Sequence, residues 1–210
     1  MNRNTPPWQK RRNAGKRQIG TRHAREKILI VCEGEQTEPN YFKSFPVDKE
    51  IVEIDIRGAG KNTDSLVEEA LRLKQQTEKN GTPYNQVWCV FDRDSFPKHN
   101  FNRAIRLALD NHLRMAYSNE AFEIWYLLHF HFFVDAADRA QYKSRLSQLF
   151  KYPYKKNSKT IYSELLDKQP TALKNARKLL NEYLRRDPEA NNPSTTVHLL
   201  VEELNQRGRS

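Results

Sequence analysis

KILIVCEGEQTEPNYF, residues Lys27–Phe42, joins an apolar run directly to a group of carboxylates. Its first half is a run of apolar positions suited to a strand buried on both faces. Its second half delivers Glu33, Glu35 and Glu38 in quick succession, with no turn proline before the first of them. Strands covered on both faces belong to parallel sheets flanked by helices. Carboxylates placed directly after such a strand stand where open α/β sheets receive ligands, beyond the carboxyl ends of their strands.

Working outward, strand and helix patterns alternate. A short helix is expected near Glu38–Phe45, and EIVEIDI carries a second strand through Ile51–Ile56. The glycine loop RGAGKNTD follows, and its Thr63 can cap a helix over Asp64–Lys79, where Leu66, Val67, Ala70, Leu71 and Lys74 recur at helical spacing. NGTP ends that helix. QVWCVFD is a third strand running into DRDSF, a helix spans roughly Asn102–Asn111, and LRMAYS is a fourth strand reaching Ser118. The β-α-β-α-β-α-β order predicts an α/β fold with a mainly parallel four-stranded sheet and helices on both faces. From Asn119 the pattern is helical. EAFEIWYLLHFHFF is apolar nearly all round and predicts a buried helix. Further helices are expected near Ala136–Leu149, Ile161–Asp167, Thr171–Arg185 and Ser194–Asn205. The expected organisation is a basic arm over 1–25, an α/β core over 26–118 and a helical extension packed on it over 119–210.

A chain of 210 residues suits one full-sized domain with such an extension. It has no bilayer-length apolar run and no signal-peptide core at its N-terminus, so a cytoplasmic protein is expected. Cys32 and Cys89 both lie inside strand-like runs and read as small buried residues. The formal net charge of +10 is uneven: residues 1–27 hold nine Lys or Arg and one Glu, leaving 27 basic and 25 acidic residues elsewhere. The arm, with Arg11, Arg12, Lys16 and Arg17, is suited to phosphate backbones. A solubility tail would have the same composition. Between Arg139 and Tyr162 stand seven basic residues and no acid, interleaved with Tyr152, Tyr154 and Tyr162. Lys155 and Lys156 are candidate phosphate contacts there, and the tyrosines candidate stacking partners. A solvated helix hairpin would look similar.

If the strand order is 2-1-3-4, Glu33 and Asp92 end neighbouring strands, and Asp94 brings a third carboxylate to the same crevice. Converging carboxylates raise one another's pKa, a penalty removed by a divalent cation, and their hard oxygens favour Mg²⁺ or Mn²⁺. An ordinary polar loop, with Asp94 or Ser95 capping the next helix, is the plainer reading of DRDSF. Glu123, flanked by Phe122, Ile124, Trp125 and Leu127, is either a further ligand or the partner of a buried arginine. Glu38 is a secondary candidate that could instead supply charge near a helix N-terminus. GAGKN departs from a P-loop, with Asp55 where Gly is required and Asn62 where Ser or Thr should follow the lysine; Lys61 could still bring charge to a phosphate. His129 and His131 do not share a helical face, which favours a packing role. Ser194 or Thr195 can cap the last helix, near His198, and that helix start could receive a phosphate oxygen.

VCEG and FDRD, each after a strand, resemble the glutamate and Asp-x-Asp motifs of the Toprim fold of topoisomerases, primases and OLD-type nucleases. In order and spacing, CEGEQTEPNYF, VFDRDSF, SNEAFEIWYLLHF and NPSTTVHLLVEEL resemble the RloB-like proteins, over nearly everything from about residue 26 onward. The resemblance implies a Toprim-like fold and a metal-dependent nuclease of bacterial restriction and phage-defence loci, often beside an ABC-type ATPase partner. It makes Glu33 a metal ligand or general base, and Asp92 and Asp94 the metal-holding pair. The expected function is a Mg²⁺- or Mn²⁺-dependent nuclease acting on RNA such as tRNA in preference to DNA. The alternative is a non-catalytic nucleic-acid-binding or regulatory partner of the ATPase.

Overall fold

The computed structural model describes residues 25–60, 63–93 and 100–208, with the side chains of 63 and 64 excepted. The candidates Asp94, Lys61, Arg11, Arg12, Lys16 and Arg17 therefore lie outside the described residues. The elements run β1 (Glu26–Cys32), α1 (Thr37–Lys43), β2 (Val52–Gly58), α2 (Thr63–Lys79), β3 (Gln86–Asp92), α3 (Asn100–Asp110) and β4 (Arg114–Asn119), then α4 (Glu123–Leu127), α5 (Arg139–Phe150), α6 (Ile161–Leu165), a 3₁₀ turn at Leu166–Lys168, α7 (Gln169–Asn181), β5 (Ser194–Thr195) and α8 (Val197–Asn205). Among the described residues, no helix is long and apolar enough to cross a membrane.

The sheet has five strands in the order β2-β1-β3-β4-β5, the first four parallel and β5 antiparallel to β4. Period-2 alternation sends the side chains of β1 and β3 to two different cores. Leu29, Val31, Val87, Cys89 and Phe91 pack with Leu66, Val67, Phe101 and Ala104 of α2 and α3. Ile28, Ile30, Cys32, Trp88 and Val90 pack with Phe42, Trp125, Tyr142, Ala176 and Leu200 of the other helices. Both faces are therefore dry, and both cysteines are buried and free.

Two expectations are corrected. The sheet has a fifth strand because Ser194 and Thr195 complete the edge of β4 instead of starting a helix. Thr195 Oγ1 donates to the Tyr117 carbonyl at 3.1 Å, and the Tyr117 amide donates to Thr196 Oγ1 at 3.0 Å, so the hydroxyls satisfy edge groups of β4. The apolar run after Asn119 forms only the five-residue helix α4. Tight turns follow it, with the His129 and Phe130 amides donating to the Tyr126 and Leu127 carbonyls. The rings of Phe130, Phe132 and Phe133 then separate to meet Lys168, Lys178 and Arg145 respectively, on three different elements. A continuous helix could not send its rings to all three.

Candidate functional site

At the carboxyl ends of the parallel strands, four acidic side chains lie near enough to act on one another's charge. Glu33 follows β1, Asp92 closes β3, Glu38 lies in the first turn of α1, and Glu123 opens α4 shortly after β4. Because β1 and β3 are hydrogen-bonded neighbours, the Glu33 amide donates to the Val90 carbonyl at 2.8 Å and extends the ladder by one residue. Its carboxylate Oε2 in turn accepts the Asp92 backbone N–H at 3.1 Å. The loop carrying Glu33 leans on the end of β2. A Cβ on Gly58 would stand 2.6 Å from Glu35 Cα and 2.8 Å from the Gly34 carbonyl oxygen, and Gly60, at φ +57°, donates its amide to the Glu33 carbonyl at 3.0 Å. Gly58 and Gly60 of the GAGKN loop thus serve a backbone-to-backbone contact behind Glu33.

Arg139, the first residue of α5, lies among these acids. Its Nη2 donates to Asp92 Oδ2 at 2.7 Å, and its Nε stands 3.9 Å from Glu123 Oε2. The start of α5 is fixed by a reciprocal capping box, in which Asp138 accepts the Gln141 amide and Gln141 accepts the Asp138 amide. One guanidinium does not satisfy every oxygen. Asp92 Oδ1, Glu123 Oε1 and Glu38 Oε2 are buried without a hydrogen-bond partner. Burial holds the Asp92 carboxyl well above the usual range; Glu38 adds to the rise, Arg139 opposes it, and Glu33 and Glu123 raise it further. Burial also raises Glu38, against the pull of its own amide and with help from Glu123. Tyr154 faces the same cluster without a hydrogen bond of good geometry. Burial and then the charges of Glu123, Glu38 and Asp92 hold its phenol far above the usual value.

The chemistry of this donor set suits a hard divalent cation, since it is all carboxylate oxygen and three of those oxygens are buried and unsatisfied. Among the described residues, however, no three His, Cys, Asp or Glu side chains converge as a ready-made metal centre. The cation that Asp92 meets is the Arg139 guanidinium.

The remaining candidates separate. Lys155 and Lys156 are exposed on the loop after α5, which docks on α1 through Thr37 Oγ1 donating to the Lys156 carbonyl at 2.9 Å, so this basic segment borders the acidic site. Of the three tyrosines expected to stack on bases, Tyr162 is buried beside Tyr41 and Phe45, Tyr154 is half-buried at the acids, and only Tyr152 is exposed. His129 is a core residue whose Nδ1 meets the Trp125 carbonyl oxygen at 2.9 Å, and burial pulls it down to about 4. His198 is likewise buried and pulled down to about 4, and Ser194 is buried in β5, so neither faces an open helix start; of the two expected caps it is Thr195 whose Oγ1 accepts the Val197 amide at the start of α8, at 3.2 Å. Sequence reasoning read Arg139 and Tyr154 as part of the basic, tyrosine-bearing segment and did not bring either to the acids. Glu123 did signal a need for an arginine, but nothing in the sequence selects Arg139 from the others.

The model of the RloB-like protein family matches residues 28–204 of the chain. No curated protein matches, and no solved structure matches.

Proposed function

The chain belongs to the RloB-like protein family, and on that premise we propose that it is a divalent-metal-dependent nuclease of Toprim-like fold. Its substrate in this reading is RNA such as tRNA, in preference to DNA. One observation carries the reading: buried carboxylates meet at the ends of adjacent parallel strands with oxygens left unsatisfied, in an arrangement costly to keep unless it serves a charge. Asp92, Glu123 and Glu38 would hold Mg²⁺ or Mn²⁺, together with Glu33. When bound, such a metal supplies positive charge to the phosphodiester and lowers the pKa of a water molecule. The chain's own residues do the rest. Glu33, oriented by the Asp92 amide, is placed to accept a proton. The Arg139 guanidinium can pair with a phosphate oxygen as readily as with Asp92. Lys155 and Lys156, bordering the site, draw in the backbone. The family resemblance supports a role in antiviral defence, in the cytoplasm, under control of an ABC-type ATPase partner.

A second reading has its own support. The 2.7 Å ion pair of Arg139 with Asp92 partly neutralises the cluster without any metal, as expected of a non-catalytic nucleic-acid-binding or regulatory subunit of the ATPase complex. Incubation with tRNA, single-stranded RNA and DNA in Mg²⁺, Mn²⁺ or EDTA separates the two. Cleavage that needs metal and is abolished in Asp92→Asn, with binding retained, is expected for the nuclease. Metal-independent inertness toward all three substrates, with and without the ATPase, sinks it.

A further inference from the structure

The loop that borders the acidic site begins at an aromatic ledge. Phe130 and Phe150 meet edge to face at 5.4 Å, and Phe150 and Tyr152 stack at 5.3 Å with their planes 26° apart. Tyr152 ends this series and is 42% exposed. Its orientation is held at both ends: the ring rests on Phe150, and the hydroxyl donates to Glu164, whose other oxygen accepts Thr160 Oγ1 at 2.6 Å. A tyrosine ring that is fixed in place and partly exposed loses little freedom when a flat ligand covers it.

The surroundings suit a polyanion. Lys151 precedes Tyr152 in a left-handed conformation, at φ 61°, where glycine would be the unstrained choice. Lys168 sits over the Phe130 ring at 5.7 Å, and Lys155 and Lys156 follow on the same loop. Glu164 is engaged by Tyr152 and Thr160, Asp167 lies on the same 3₁₀ turn as Lys168, and the acidic cluster lies beyond Tyr154. Tyr154 lies only two residues beyond Tyr152, at most ~7 Å of chain, and faces the acidic cluster. Pro153 between them stiffens the link.

We propose that Tyr152 is a stacking platform for an unpaired base, so that nucleic acid reaches the acidic site as a single strand. The proposal rests on the nuclease reading of that site and adds the strandedness of its substrate. A base inside a duplex has both faces covered by its neighbours and cannot lie on Tyr152, whereas an unpaired base can. Lys151 and Lys168 meet the adjoining phosphates, and Lys155 and Lys156 lead the backbone toward Asp92.

The test uses the full chain in EDTA, with short labelled single-stranded RNA and DNA and the matching duplexes, read by fluorescence anisotropy. Tyr152→Ala is expected to weaken single-strand binding about tenfold and leave duplex binding unchanged, while Tyr152→Phe stays within about twofold of the parent. A 2-aminopurine in the single strand should be quenched on binding to the parent and to Tyr152→Phe, but not to Tyr152→Ala. Unaltered single-strand affinity in Tyr152→Ala, or equal loss for duplex and single strand, overturns the platform; so does a parent protein that binds no oligonucleotide, which would leave the ledge as a protein-docking surface. Cleavage assayed in parallel with Mn²⁺ keeps the two ideas apart. Normal cleavage by a Tyr152→Ala protein of unchanged affinity removes the platform and spares the nuclease. Tyr152-dependent binding without cleavage by the parent removes the nuclease and spares the platform.

Discussion

Arg139 holds together charges that would otherwise repel. Its side chain is 26% exposed while that of Asp92 is 5% exposed, so the pair lies at the boundary between solvent and core. Removing one partner of a fully buried pair costs about 3–5 kcal/mol, and the part of Arg139 that stays in water reduces this. Arg139→Met is therefore expected to lower metal-free stability at neutral pH by about 2 kcal/mol. Adding Mn²⁺ should recover more stability in this variant than in the parent, because it would replace the lost positive charge. Urea denaturation with and without Mn²⁺ checks both statements; a variant as stable as the parent would show that the pair contributes nothing. Low pH acts through the same group. Asp92 is raised by burial, so its stabilising contribution is present below the unfolded carboxylate range and fades as pH rises through the higher folded value.

At the scale of elements, the site depends on how closely the turn after β1 lies on the end of β2. Gly58 makes that possible, since a Cβ there meets the backbone of Glu35 and Gly34, which cannot swing away as a side-chain tip can. Gly58→Ala is expected to cost about 1–3 kcal/mol, as over-packing typically does, and to shift the amide-to-carboxylate contact between Asp92 and Glu33. Thermal melts and the amide chemical shift of Asp92 report the two effects separately. A melt and spectrum identical to the parent would mean that the turn yields without consequence. Helix α5 contributes from the opposite side: its capping box fixes the first turn and so fixes where Arg139 begins.

The whole molecule is one sheet shared by two cores, and the second core belongs to both halves of the chain. Ile28, Ile30, Trp88, Val90 and Ala116 on the sheet are covered by residues of α4, α5, α7 and α8, and β5 joins the sheet from near the C-terminus. A chain ending at Ser118 would leave that face in water. It is expected to lack a cooperative urea transition and to bind a hydrophobic dye, whereas the full chain is expected to unfold in one step. Cooperative unfolding of the truncated chain would show that residues 26–118 stand alone. Glu123 and Arg139 lie in the part removed, so the acidic site is also completed only by the second half.

The alternation of strands and helices, a parallel sheet, and the carboxylates that end the first and third strands are legible in the sequence. Each is written in short-range periodicity: runs buried on both faces mark inner strands, and the residues that follow them must stand at the carboxyl edge. Tertiary packing makes β1 and β3 neighbours and so brings Glu33 to Asp92, adds Glu38 and Glu123, pairs Arg139 with Asp92 across 47 positions, and turns Tyr162 inward while Tyr152 stays out. It also shortened α4 and added β5, both against the local pattern. The physical reason is the same in each case. Periodicity reports which side of an element is apolar, but the partner a buried charge or ring meets is set by helices packing from distant parts of the chain, where several equally basic or aromatic residues compete for the position.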